Sequence, residues 1–246
     1  MKYAVSEKIA TLTFDRPERA NALDIAGWEA MRAAFERADA DEAVNVVVLT
    51  GEGKHFCAGI DLSVLAGLQE TLTGKQKEIE EQLRDFIANL QDCITAIERC
   101  RKPVIAAVYG GCIGGGVDII TACDLRYCTT DAYFSVKEVD LGIVADLGTL
   151  QRLPRIVSPG IAAELAFTAR RVDGKEAQRI GLVNEALANA KQLQFRVGQT
   201  ADAIAAKPPR ITAGIKATLL HQRNHTLPEG LDYVASYSAA LMAGRR

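Results

Sequence analysis

Three carboxyl side chains are embedded in apolar sequence between Tyr109 and Gly148. Asp118 lies between Val117 and Ile119-Ile120, Glu138 follows Val136-Lys137, and Asp146 sits in Ile143-Val144-Ala145-Asp146-Leu147-Gly148. Carboxylates are normally solvated, because an unpaired charge is costly to bury. Burial raises the pKa of such a group into the range where it serves as a general base or acid near neutral pH. Two carboxyls flanking a conjugated substrate can divide a proton transfer, one removing a proton and the other returning it elsewhere. A third acid beside the base would titrate together with it. Each residue also has a plainer reading: Asp118 as a charge on the first turn of a helix, Glu138 as the partner of Lys137 or an arginine, and Asp146 as a turn residue.

Two glycine-bearing loops supply what an acid pair needs for carbonyl chemistry. Gly110-Gly111-Cys112-Ile113-Gly114-Gly115-Gly116 follows an apolar run and precedes a helical one. It is neither G-x-G-x-x-G nor a P-loop. Glycines at this place let a ligand approach the backbone and present N–H groups at a helix N-terminus, where negative charge is favoured. Phe56-Cys57-Ala58-Gly59-Ile60-Asp61-Leu62 follows another apolar run in the same way. One N–H from each loop, aimed at a single oxygen, would form an oxyanion hole and activate a carbonyl compound toward loss of an α-proton. Tight strand–helix packing without any ligand is the alternative for each loop alone. His221 and His225 share a helical face but lack an acidic third ligand at matching spacing, so a solvated pair is expected rather than a metal site. His55 reads as a neighbour of a ligand phosphate or as a surface residue. No G-x-S-x-G occurs.

These side chains need a frame. Ile9 to Phe14 alternates as a strand does. Asn21 to Ala40 is an amphipathic helix with Asp24 as its cap. Val44 to Thr50 and Val104 to Gly110, just after Pro103, are apolar runs suited to strands covered on both faces. Residues 63–100 are helical in pattern, most clearly from Lys75 to Arg101. A helix follows the glycines, and Asp124 to Cys128 forms another short strand. Alternating strands and helices predict an α/β core over residues 1–190. A helical region for assembly is predicted over 191–246, with a break at Lys207-Pro208-Pro209-Arg210.

The bulk composition narrows the classes. The formal net charge of -2 argues against a general nucleic-acid surface. Six cysteines without C-x-x-C or zinc-like spacing read as buried thiols of a reducing compartment. The start, MKYAVSEKIATLTF, lacks a signal-peptide layout, no apolar run reaches membrane-span length, and Ala243-Gly244-Arg245-Arg246 is not a serine-lysine-leucine address. A cytoplasmic protein without membrane contact is expected.

HFCAGIDL together with KPVIAAVYGGCIGGGVDIITACDLRY resembles the enoyl-CoA hydratase/isomerase (crotonase) superfamily, with DRPERANAL and RVDGKEAQRIGLVN in support. The resemblance implies a spiral of ββα units with a C-terminal helical region, assembled as a homotrimer or homohexamer. It implies an acyl-CoA thioester substrate, with CoA entering as part of it and no cofactor or metal. It places the oxyanion hole at the N–H groups of Ala58 and Gly115, and substrate contacts at Ala58, Gly59, Ile60, Asp61, Leu62 and Gly115. Asp118, Glu138 and Asp146 at this spacing, in GGVDIITACDLRYC and FSVKEVDLGIVADLGTLQRLP, look like the Δ3,5-Δ2,4-dienoyl-CoA isomerase branch. That implies a 1,5-proton shift in fatty acid β-oxidation. Glu138 would take the C2 proton, Asp118 would protonate C6, and Asp146 would hydrogen-bond to Glu138. Arg19 and Lys54 are the candidates for the CoA phosphates. Other readings within the superfamily are a hydratase, a Δ3-Δ2-enoyl-CoA isomerase, or a non-catalytic acyl-CoA- or RNA-binding homologue.

Overall fold

The computed structural model describes residues 1–244, so Arg245-Arg246 of the C-terminal reading lie outside the described residues. A six-stranded sheet in the order β1-β2-β3-β4-β6-β9 forms the frame. Its strands are β1 (Lys2–Ser6), β2 (Ile9–Phe14), β3 (Val46–Gly51), β4 (Val104–Val108), β6 (Leu125–Thr129) and β9 (Glu185–Leu187). The β1–β2 hairpin is antiparallel, and every later pairing in this sheet is parallel. A smaller sheet joins β5 (Gly111–Ile113), β7 (Tyr133–Ser135) and β8 (Val172–Asp173).

The spiral follows from this connectivity. β4 runs into β5 and then helix α4 (Gly115–Ala122), and β6 runs into β7. One turn earlier, β3 leads to Cys57, which pairs in parallel with Cys112 of β5, and Cys112 in turn pairs with Phe134 of β7. Successive turns are thus stacked in register. The residues just beyond each of these strand positions, near 58, 115 and 138, emerge at the same edge.

Both faces of the large sheet are covered, as the apolar runs require. Val47 and Leu49 point into the main core with Trp28, Met31 and Phe35 of α1 (Ile25–Ala40) and Leu90, Ile94 and Ile97 of α3 (Gln76–Arg99). Asp24 caps α1 by accepting the Gly27 N–H at 2.8 Å. Val46, Val48, Ile105 and Ala107 point the other way, onto Leu193, Val197, Ala201 and Ala205 of α8 (Ala190–Ala205). This alternation is the period-two geometry of a strand. Between α1 and α3, α2 spans Leu62–Thr71. After β7 come α5 (Thr149–Arg152), α6 (Pro159–Thr168) and α7 (Gly174–Arg179).

The C-terminal boundary differs from the expectation. α8 is a layer of the core, so the predicted division at 190/191 falls at the start of a core helix. The break in packing comes at the Lys207-Pro208-Pro209 step, beyond which α9 (Pro209–Gln222) and α10 (Leu227–Ala243) pair with each other. Lys216 of α9 pins that pair to the core. Its buried ammonium lies 2.8 Å from Asp124 and donates to the carbonyls of Ile97 and Lys102 at 3.1 Å each. A buried charge is tolerated here because it is both paired and fully hydrogen-bonded.

Candidate active site

The two glycine loops meet. Gly59 has φ +82, and a β-carbon on it would stand 2.7 Å from the Gly115 nitrogen and 2.8 Å from the Ile113 carbonyl oxygen. Gly115 is equally confined, since a β-carbon there would lie 3.1 Å from the buried Trp28 ring. Only backbone fits at this junction.

The free donors are not both where the sequence placed them. Gly115 is the first residue of α4 and its N–H has no acceptor among the described residues, as expected for the first turn of a helix. The Ala58 N–H, by contrast, donates to the Ala20 carbonyl at 3.0 Å, so Ala58 cannot supply the second donor. Leu23 donates to the Gly59 carbonyl at 2.8 Å and Asp61 donates to the Leu23 carbonyl at 2.9 Å. Between these bonds the Ile60 N–H is left without an acceptor among the described residues. The pair of available donors is therefore Ile60 and Gly115. Ala58 lines the site without supplying a donor.

A cavity of about 440 Å³ opens in front of this pair, bounded by Ala58, Ile60, Asp61, Leu62, Ile113, Gly114, Gly115, Glu138, Leu141 and Ile143, with Arg19 and Lys137 also lining it. Gly59 stands behind the lining. Asp61 is structural: its carboxylate accepts from the Ser63 N–H and hydroxyl and lies 3.3 Å from Arg16. The Ser63 hydrogen bonds, with Arg16 beside them, hold it below the usual carboxylate range. Arg19 has no ion-pair partner among the described residues. Lys54 is not part of the lining. His55 is half-buried, and its Nδ1 accepts the Gly111 N–H at 3.0 Å and so braces the glycine run.

Of the three acids, Glu138 alone reaches the lining. It opens a short 3-10 turn, Glu138–Leu141, that follows β7. Its Oε1 stands 3.3 Å from where a β-carbon on Gly114 would be, next to the Gly115 donor. Lys137 pairs with Asp140, and no cation among the described residues pairs with Glu138. Burial, with the nearby Asp118 charge second, pushes Glu138 up to about 7. Asp118 is fully buried. Its Oδ1 accepts the Thr149 N–H at 2.6 Å, and burial outweighs that bond to raise it to about 6. Asp118 Oδ2 and Glu138 Oε2 are both buried without a hydrogen-bond partner among the described residues, which is unusual for native carboxyls and calls for a functional account.

Asp146 corrects one expectation. No hydrogen bond joins its carboxyl to Glu138; its backbone carbonyl accepts from Gln91 Nε2 at 2.6 Å. Burial raises Asp146 as well, and its charge adds to the upward shift of both Glu138 and Asp118. The coupling runs through the field rather than through a bond.

The two histidines of α9 and the turn after it stack on each other, 3.7 Å between ring centroids, and His221 stacks on Tyr233 at 3.9 Å. Among the described residues no cluster of His, Cys, Asp or Glu is arranged to hold a metal ion.

Spiral core, paired backbone donors and buried carboxyls together match a known family. Residues 4–242 fit the family model of enoyl-CoA hydratase/isomerase, and the chain belongs to that family. The peroxisomal Δ3,5-Δ2,4-dienoyl-CoA isomerase of Arabidopsis thaliana is 49% identical over 94% of this chain and 84% of its own length. The human mitochondrial enzyme of the same name is 41% identical over 97% of this chain and 74% of its own. Among solved structures, an enoyl-CoA hydratase from Bacillus anthracis superposes with a TM-score of 0.89 at 28% identity, covering 98% of this chain and 90% of that one. Among the described residues no helix is long and apolar enough to cross a membrane.

Proposed function

We infer that the protein is a Δ3,5-Δ2,4-dienoyl-CoA isomerase. The observation that carries this reading is the pair of unpartnered buried carboxyl oxygens, on Glu138 at the cavity wall and on Asp118 behind it, next to two free backbone donors. The thioester oxygen of a 3,5-dienoyl-CoA accepts from Ile60 and Gly115. Glu138 removes a C2 proton, and the negative charge that moves onto the oxygen is stabilised by donors already in place. The electron pair shifts along the chain, and protonation at C6 leaves double bonds at C2 and C4. We assign that proton to Asp118, whose burial favours its neutral form. Because Asp118 lies outside the cavity lining, the acyl chain has to pass Glu138 to reach it. Asp146 adds charge to the pair. The apolar walls exclude water, which favours a proton shift over hydration.

Arg19, at the mouth and without an ion-pair partner, suits contact with the CoA phosphates. Exposed Ile215, Leu219, Leu227 and Leu231 on α9 and α10 support assembly as a homotrimer or homohexamer. The free buried thiols accord with a reducing compartment, and we assign the cytoplasm.

A spectrophotometric assay with a 3,5-dienoyl-CoA, run beside a 2-enoyl-CoA hydration control, tests the reading. Growth of the conjugated-diene absorbance with little hydration is the expected result. Hydration without that growth overturns it.

A further inference from the structure

Cys57 is the one thiol wired into the oxyanion loop. It is fully buried, its Sγ–H donates to the Asn21 carbonyl at 3.3 Å, and its Sγ accepts the Gly59 N–H at 3.4 Å. Its own carbonyl accepts the Ile113 N–H at 3.0 Å, and a β-carbon on Gly116 would come within 2.5 Å of that oxygen. One residue thus touches both glycine loops, the first through its side chain and the second through its backbone. Burial pushes the thiol up to about 12, so it stays protonated and remains a donor.

Asn21, the acceptor of that thiol, is itself immobilised. It has φ +57, its Oδ1 accepts from the Arg16 N–H at 2.9 Å, and its Nδ2 donates to the carbonyls of Glu52 and His55 at 2.9 and 2.7 Å. The thiol therefore links a rigid anchor to the nitrogen of Gly59. The next peptide unit, the Gly59 carbonyl with the Ile60 N–H, is the one that presents the free donor. Its carbonyl end is held by Leu23, the residue after it by the Asp61 N–H to the Leu23 carbonyl, and the residue before it by the Gly59 N–H to the Cys57 thiol.

We propose that the Cys57 side chain is a positioning residue that sets the direction of the Ile60 N–H through the relay Asn21 carbonyl, Cys57 thiol, Gly59 N–H. The inference rests on the reading of Ile60 and Gly115 as the thioester-binding pair. Removing the thiol leaves the Gly59 N–H buried without an acceptor and loosens the peptide unit that carries the Ile60 N–H, whose carbonyl stays bound to Leu23. Transition-state stabilisation by a fixed donor depends on sub-ångström placement.

The test compares wild type with Cys57→Ala and Cys57→Ser, reading the infrared stretch of the thioester carbonyl of bound 2,4-dienoyl-CoA together with kcat and KM. Wild type is expected to shift the carbonyl to lower frequency. Cys57→Ala should lose at least half of that shift and about 10-fold or more in kcat, with KM moving less than about 3-fold. Cys57→Ser, whose hydroxyl both donates and accepts, should recover most of both. Equal shifts and equal kcat in wild type and Cys57→Ala would overturn the role, as would failure of serine to restore what alanine loses. A wild type that shifts the carbonyl but does not isomerise the diene would overturn the proposed reaction, while the difference between the variants would still support the relay.

Discussion

Gly59 and Gly115 approach so closely that a β-carbon on the first would stand 2.7 Å from the nitrogen of the second. Gly59 also has φ +82, which side-chain-bearing residues rarely adopt. Gly59→Ala should therefore push the two loops apart. The expected loss is about 10²–10³-fold in kcat, the size seen when one oxyanion donor is removed, with a lower Tm measured on the same sample.

Glu138→Gln keeps the shape of the cavity wall and removes the base. Turnover of a 3,5-dienoyl-CoA should fall by about 10²–10⁴-fold, while calorimetric titration with a non-reacting acyl-CoA shows affinity within a few-fold of wild type. A parallel loss of binding would place Glu138 in substrate capture instead.

The reactive state has one proton on the pair, held by Asp118 while Glu138 is ionised; with the Glu138 pKa above that of Asp118, this is the less populated of the two singly protonated arrangements. With Glu138 near 7 and Asp118 near 6, kcat/KM should be bell-shaped with its maximum in that window, and the two limbs belong to the pair rather than to single residues. Asp146→Asn removes a negative charge that raises both groups, so the acidic limb should move to lower pH. A profile unchanged by Asp146→Asn would rule out coupling through the field.

The same shifts predict how stability depends on pH. A carboxyl whose folded pKa is raised favours folding most when protonated, so its contribution is complete below the unfolded pKa and is lost as pH climbs through about 6 for Asp118. Asp118→Asn retains an acceptor for the Thr149 N–H and cannot ionise. At pH 8 it should be more stable than wild type by on the order of 1–3 kcal/mol, and at pH 4 the gain should vanish. Urea melts at the two pH values measure the difference.

Lys216 offers a structural control far from the acids. Lys216→Ala leaves half-buried Asp124, which also accepts the Val104 N–H at 2.8 Å, without its cation, and strips the Ile97 and Lys102 carbonyls of their donor. Breaking one side of a fully buried pair costs about 3–5 kcal/mol; because solvent reaches Asp124, chemical denaturation should report a smaller loss, about 1–3 kcal/mol.

Much of the frame was legible because it rests on local pattern. The strand at Ile9–Phe14, the Asp24 cap and the helix after the glycines follow from alternation, capping and glycine placement. Asp118 and Glu138 stood out as acids in apolar text, and both prove buried. What sequence reasoning missed depends on residues far apart in the chain. Ala58 rather than Ile60 looked like the donor because nothing near it reveals that the Ala20 carbonyl, set by φ +50, has taken its N–H. A clue lay in the sequence nonetheless: a glycine at 59 permits the turn that frees the next N–H. Asp146 was expected to bond to Glu138 because spacing reports proximity, not the direction of a side chain. The α8 stripe of Leu193, Val197, Ala201 and Ala205 went unread, because only the sheet's second apolar face explains why that helix belongs to the core.

The two halves of the site are built from different kinds of atom. The groups that grip the carbonyl are main-chain nitrogens of Ile60 and Gly115, which no substitution other than proline deletes and which otherwise fail only if the loops themselves are displaced. The groups that move protons are side chains, each one codon away from a different chemistry. Inheritance therefore treats them unequally: the grip on the thioester persists as long as the spiral folds, whereas the choice of reaction is open to revision one acid at a time.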